Sequence, residues 1–370
     1  MIKGLYIHLP FCEKICHYCD FAKMVASKEY HIKYVTSLLQ ELTFYGKQLS
    51  QIQTIYIGGG TPSFLDESLL ELLFKQIHLQ IDMSLVKEFS IESNPKDITP
   101  SFVKLIQKYQ VNRISIGVQT FDEKLLSVLG RNHLPQDVIS AVTILHNHHF
   151  DNINFDLMYS IPYQSLEQFK HDLSIAVSLN PSHLSVYSLI LEPKTKFDYD
   201  VKKGKLELVL EETEEQMSNY MTTYLESKGY YQYEFSNYSL QNRQCLHNLI
   251  VWNLEEYLGI GLGAASQIEE VRFKNASTYK SYLELVSKNN KGIQVFEDFN
   301  PIQETILLGL RKTEGISLSD FNQKFNGSVF QKYPELENHL SNGLLEMKND
   351  RLYLTKKGML LSNQVFLSLF

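Results

Sequence analysis

Three cysteines, Cys12, Cys16 and Cys19, lie within eight residues near the start of the chain, and a fourth, Cys245, stands far from them. Thiolates are soft donors suited to iron–sulfur clusters or zinc, and an odd group of three cannot close as disulfides. Cys12-x3-Cys16-x2-Cys19 therefore reads as a metal-binding loop. The spacing leaves its metal open. A structural zinc needs four closed ligands and would recruit His8, His17 or a distant side chain. A cubane held by three thiolates keeps its fourth iron free, and an open iron is a reaction site. Cys12-x3-Cys16-His17 also loosely resembles a haem-attachment spacing. That chemistry normally demands export, and "MIKGLYIHLPFC" lacks the roughly 7–15-residue apolar core of an export signal.

Other chemistry-bearing residues sit where short β-branched or aromatic runs end: His8, Gly58 to Thr61, Glu92, Gln119, Asp156 and Tyr187. The runs cover 5–10, 54–60, 88–95, 113–121, 153–162 and 183–193, each separated from the next by a stretch able to form a helix, such as 29–49 and 67–81. This alternation predicts βα units and a parallel sheet, either a partial barrel or an open doubly wound sheet. In both, sites are built at the C-terminal ends of the strands. Singly these residues are ordinary turn formers; six in succession behind a thiol cluster read as one site.

Beyond Pro193 the pattern changes. A helix is expected over 207–230 and a strand over "YQYEFSNYS", followed by "CLHNLIVWNLEEYLGIGLGAAS" at 245–266. From Pro301 a separate unit is expected, with helices near 301–311, 317–325 and 334–345 and a hairpin turning at Asn349-Asp350, a winged-helix-like arrangement. Residues 301–370 carry eight basic and seven acidic side chains. A nucleic-acid reader would show a basic patch or stripe, so this unit reads as a structural or partner-facing cap. The formal net charge of −7 over 370 residues likewise excludes wrapping nucleic acid by bulk charge. No apolar run reaches the roughly 18 residues that cross a bilayer. A cytoplasmic protein is expected, where thiols stay reduced. The histidine-rich stretch 146–149 reads as a solvated helix end.

"YIHLPFCEKICHYCDF" resembles the signature of the radical S-adenosylmethionine proteins, and within them the coproporphyrinogen dehydrogenase group. "IYIGGGTPSFL", "IESNP", "RISIGVQTF", "GRNH", "NFDLMYSIP", "SVYSLILEP" and "YEFSNYS" match in order over nearly the whole chain. The resemblance implies an α/β fold: a partial (βα)6 barrel over 1–200, an α+β extension over 201–300 and a C-terminal winged-helix-like cap over 301–370. It implies a [4Fe–4S] cluster on Cys12, Cys16 and Cys19, whose open iron is chelated by the amino and carboxylate groups of S-adenosylmethionine. Reduction of the cluster would cleave that cofactor to a deoxyadenosyl radical. By the same resemblance Tyr6 and His8 lie beside the cluster, and Gly59, Gly60 and Thr61 receive the cofactor's amino group. Glu92 binds its ribose hydroxyls, and Gln119, Arg131 and Asp156 complete its site. A guanidinium fork suits a carboxylate, the expected partner of Arg131.

The group divides. Its decarboxylating enzymes carry a further cysteine two residues after the triplet, where this chain has Phe21, and a longer N-terminal lead than the five residues before Tyr6. The other branch is a haem-chaperone branch marked by His-Asn-x-x-Tyr-Trp. "HNLIVW" supplies His247, Asn248 and Trp252, with Val251 in place of tyrosine. This resemblance implies a protein that binds haem and passes it to an acceptor protein, with an electron donor for the cluster and no decarboxylase activity. An imidazole can ligate haem iron, so His247 is a candidate ligand and Trp252 a flat apolar wall. Cys245 is a second candidate donor. Were the segment extended, residues 245 and 247 would share a face.

Overall fold

The computed structural model describes all 370 residues. Strands β1 (Gly4–Leu9), β2 (Thr54–Gly59), β3 (Glu88–Ser93), β4 (Arg113–Gln119), β5 (Ile153–Tyr159) and β6 (His183–Ser188) pair in sequence order, all parallel. Helices Lys28–Tyr45, Glu67–Gln80, Pro100–Lys108, Pro135–Asn147 and Leu166–Ser178 provide the crossovers.

Period-two patterning explains how the sheet faces. Leu5, Ile7 and Leu9 on β1, Phe89 and Ile91 on β3, Ile114, Ile116 and Val118 on β4, and Phe155 and Leu157 on β5 are at most 1% exposed. They pack beneath the helices in one core that runs from Ile2 to Val286. The alternate positions are polar: Tyr6 and His8, Tyr56, Glu88, Ser90 and Glu92, Arg113 and Ser115, Asn154 and Asp156, His183 and Ser185. A parallel sheet buried on both faces reads as a continuous apolar run. Polar alternation in parallel strands therefore marks a sheet curled around polar interior space.

The stretch 201–300 adds to both edges of that same sheet. On one edge β7 (Tyr231–Gln232) and β8 (Asn237–Ser239) pair antiparallel, and β8 lies antiparallel to β6. "YQYEFSNYS" is thus a broken strand, not the single one expected, because the Ser236 N–H donates to Glu234 Oε1 and turns the chain (3.1 Å). On the other edge β9 (Tyr257–Ile260) runs parallel to β1, and β10 (Ala265–Ile268), β11 (Val271–Asn275) and β12 (Ile293–Glu297) continue antiparallel. The result is a 12-stranded sheet. Residue 200 is a change of topology rather than of packing.

Residues 301–370 have their own core around Ile306, Phe321, Leu352 and Val365. Strand β13 (Ile316–Ser317) pairs with β15 (Arg351–Leu354), which pairs with β14 (Leu345–Lys348), beside helices Pro301–Gly309, Leu318–Phe325, Val329–Lys332 and Leu336–Ser341. This is the winged-helix-like cap. Its hairpin turns on Asn349 (φ 50°) and Asp350 (φ 62°), both left-handed. Two left-handed residues in a two-residue loop match the twist of a hairpin, and Asn and Asp tolerate them best. No helix of the chain is long and apolar enough to cross a membrane.

Candidate functional site

A cavity of about 370 Å³ fills the barrel and opens at the C-terminal strand ends. Cys12, Cys16, Cys19, Gly59, Gly60, Thr61, Glu92, Gln119, Arg131 and Asp156 all line it, and so do Cys245 and Asn248. Residues separated by more than 140 positions in sequence are thus gathered around one space. We call the end with the three thiols the rim and the end near the strand starts the floor.

The thiol loop leaves β1 and is pinned from several directions. The Cys12 N–H donates to the Met24 carbonyl (3.0 Å) and the Met24 N–H to that of Pro10 (2.7 Å), closing the loop's neck. His17 Nδ1 donates to the Val128 carbonyl (2.8 Å), and the His17 N–H to that of Leu129 (2.9 Å). His8 Nε2 donates to the Ala22 carbonyl (2.6 Å). That leaves Nδ1 as an acceptor for the Tyr6 hydroxyl (2.9 Å). Burial lowers His8 to about 4, so the ring is neutral at physiological pH. Tyr6 and His8 brace the loop as well as stand beside it.

The glycine turn is equally constrained. Gly59 has φ +118°, and a Cβ there would lie 2.5 Å from His8 Cε1; one on Gly60 would lie 2.7 Å from the Pro10 carbonyl carbon. Only glycine admits the His8 ring against residue 59 and the Pro10–Phe11 backbone against residue 60. The Thr61 N–H donates to the Phe11 carbonyl (2.8 Å), and its hydroxyl to Cys12 Sγ (3.7 Å).

Glu92 accepts the Tyr56 hydroxyl (2.9 Å) and the Gly59 N–H (3.0 Å). Burial first, then the nearby Asp156, push its carboxyl up to about 7. Asp156 accepts the Ser115 hydroxyl (2.8 Å) and the Asn154 amide (2.8 Å), and burial raises it too. Gln119 ends β4 in a left-handed conformation (φ 66°), at a register shift between β4 and β5 that re-aims the strand end. Arg131 donates to Asn94 Oδ1 (2.6 Å), the Gly117 carbonyl (2.7 Å) and Cys16 Sγ (3.6 Å). Its cation thus sits against a thiol of the loop, with its fork partly engaged by the protein itself.

The segment that carries His247 and Trp252 is a helix, Leu246–Trp252, so residues 245 and 247 do not share the face of a strand. The cause of the helix is Glu88, whose carboxylate accepts the Leu246 N–H (2.7 Å), the His247 N–H (3.3 Å) and the Cys245 thiol (3.4 Å). A carboxylate at a helix N-terminus satisfies amides that lack an intrahelical partner. The structure brings Cys245 and Asn248 to the cavity but not His247 or Trp252. His247 is 5% exposed, shares a hydrogen bond between Nδ1 and the Thr54 hydroxyl (2.8 Å) and packs on Tyr56 with ring centroids 5.3 Å apart. Trp252 lies under the Arg311 guanidinium of the cap (5.2 Å).

Sequence reasoning missed Tyr56, Asn94, Arg113, Ser115 and Asn154, all cavity-lining. Four of them occupy the polar-inward positions of β2, β4 and β5, a period-two signal present in the sequence. The donor set fits an iron–sulfur cube: three free thiols border one space, the number that holds three of its four irons.

A curled parallel sheet with a three-thiol loop after its first strand defines a radical S-adenosylmethionine protein, and the family model of the Radical SAM superfamily matches residues 6–176. That of the HemN C-terminal domain matches 300–361. The chain is 37% identical to the heme chaperone HemW of Bacillus subtilis, over 99% of this chain and 98% of that protein. It is 38% identical to HemW of Lactococcus lactis, over 98% and 96%. The chain belongs to the HemW family. Among solved structures, coproporphyrinogen III oxidase (HemN) from Escherichia coli superposes with a TM-score of 0.86, covering 100% of this chain and 90% of that one. At 21% identity that likeness concerns the fold.

Proposed function

We propose that this chain binds haem and transfers it to an acceptor protein, using a [4Fe–4S] cluster and S-adenosylmethionine held at the rim of the barrel. The observation that carries the reading is the kinship, over 99% of the chain, with a protein named as a heme chaperone. Cys12, Cys16 and Cys19 are the cluster ligands in this reading. The bound cluster and cofactor supply a reducible centre and a source of a carbon radical.

The chain's own residues then have distinct tasks. Tyr6 and His8 hold the thiol loop through Ala22. Gly59, Gly60 and Thr61 offer close backbone approach and a hydroxyl for an ammonium group, and Glu92 offers a carboxylate for ribose hydroxyls. Gln119, Arg131 and Asp156 line the remaining wall. Burial holds the Cys12 thiol up at about 11, so cluster assembly displaces a proton from it. Cys245 and Asn248 are the residues of the 245–252 segment that face the haem. His247 and Trp252 hold that helix in place. In this reading an electron donor reduces the cluster, and the protein works in the cytoplasm, where thiols stay reduced.

The test is a haem titration of anaerobically reconstituted protein, with coproporphyrinogen III conversion measured on the same preparation. Saturable binding at one equivalent without conversion is expected. Turnover of coproporphyrinogen III, or no spectral change with haem, overturns the reading.

A further inference from the structure

Arg113 opens β4 on the strand's inner face, is 2% exposed and lines the cavity floor. Its guanidinium enters no hydrogen bond or ion pair, and its Nε is enclosed without a partner. An arginine cannot shed its proton in a protein. Nearby charge, Glu88 included, favours its cation, but its donors have no hydrogen-bond partner, and buried donors left unmatched are costly.

The nearby acceptors are already engaged. Glu88 is taken by the helix at 246–247, by Cys245 and by the Ser90 hydroxyl (3.0 Å). Glu92 is held by Tyr56 and Gly59, and Asp156 by Ser115 and Asn154. The other arginine of the cavity, Arg131, lies at the rim against Cys16. The cavity therefore has a partly engaged cation at one end and an unengaged one at the other.

We propose that Arg113 receives a carboxylate of a ligand held in the barrel, at the floor of the cavity beneath the thiol loop. A planar guanidinium fork matches a carboxylate with two parallel hydrogen bonds. Glu92 and Asp156 share the cavity, so a singly charged carboxylate is repelled less than a doubly charged phosphate would be. In the proposed function haem carries such groups, its propionates, whereas the amino-acid end of S-adenosylmethionine belongs to the rim. The assignment rests on that functional reading for the ligand's identity, but not for the unmatched donors of Arg113.

The experiment uses cluster-reconstituted full-length protein, wild type and Arg113→Met, titrated separately with haem, haem dimethyl ester and S-adenosylmethionine; Arg113→Lys is a second variant that keeps the charge. A loss of at least tenfold in haem affinity in Arg113→Met, with ester affinity unchanged and Arg113→Lys intermediate, supports a propionate. The same loss confined to S-adenosylmethionine overturns the propionate assignment. Equal haem affinities of wild type and Arg113→Met overturn it as well. Wild-type protein alone gives an independent reading should Arg113→Met fail to fold: the free acid must outbind the ester, and parity overturns the propionate assignment. Failure of wild type to bind haem removes the functional reading, whereas equal haem binding by wild type and Arg113→Met removes only the role of Arg113.

Discussion

Rim and floor of this barrel are made of the same material, polar side chains at alternate strand positions, and use it in opposite ways. At the floor the polar groups consume one another. Asn154 donates to Ser115 (2.6 Å) and shares a hydrogen bond with His183 (2.6 Å), which reaches Tyr233 (2.8 Å), while Glu88 gathers the helix at Leu246–Trp252. At the rim the loop is pinned through its backbone, and its thiols border open space. Buried polar groups that satisfy each other hold a fold together, whereas those left facing a cavity await a ligand. His247 belongs to the first kind despite the motif that surrounds it; Arg113 lies among that kind and yet has no partner.

The contrast can be broken at either end. Cys16→Ala should abolish cluster formation, taking reconstituted protein from about four irons to none, since three thiolates hold three corners of the cube; iron content and visible absorption report it. A variant that keeps its cluster would mean the rim is not the metal site. Glu88→Ala should cost about 3 kcal/mol by urea denaturation, because it strands several buried donors at once. Little loss there would show that the floor is not self-satisfied.

His247→Ala should cost about 2 kcal/mol through the lost Thr54 hydrogen bond and Tyr56 contact, while haem affinity shifts by less than about twofold. A large fall in haem affinity at preserved stability would move His247 to the ligand side of the comparison. Burial lowers His247 from 6.5 to about 4. Its contribution is complete above pH 6.5 and is lost as pH falls toward 4, because the unfolded chain then binds the proton that the folded one refuses. The wild-type advantage over His247→Ala must shrink in that window. Glu92→Gln should give the smallest effect and the opposite sign. With its folded value near 7, ionised Glu92 burdens the fold as pH rises from about 4.5 through 7. The variant should therefore gain on wild type by about 1 kcal/mol at pH 8 relative to pH 5, a modest figure because the cavity admits water. Thermal unfolding of both proteins at the two pH values measures it.

Much of the fold was legible because its signals are local. The parallel strands ended within a few residues of their expected limits, and Asn349-Asp350 turned the hairpin. The extension was harder to read. β9 to β12 join the barrel sheet through pairing with β1, a partner some 250 residues away that no local pattern identifies. The helix at Leu246–Trp252 forms where Glu88, from β3, supplies the cap, so a local window that excludes Glu88 leaves the conformation of 245–247 undecided. At the site, the thiol spacing and the motif order picked out the three thiols, the glycine turn, Glu92, Gln119, Arg131 and Asp156, but not Asn94 beside Arg131. Arg113 and Asn154 lie on those same strands, but nothing in their residue types separated a cavity-facing cation or amide from an ordinary one.

By itself the sequence determined which groups this protein owns: three closely spaced thiols, a glycine turn and strands that are polar on one side. Those follow from residue type and from periods of two and 3.6, which need no knowledge of distant partners. Tertiary structure alone decided which of these groups are free. Whether a histidine or an arginine is spent on a neighbour or left for a ligand depends on atoms brought together from opposite ends of the chain, and in this barrel that pairing left His247 with Thr54 and Arg113 with open space.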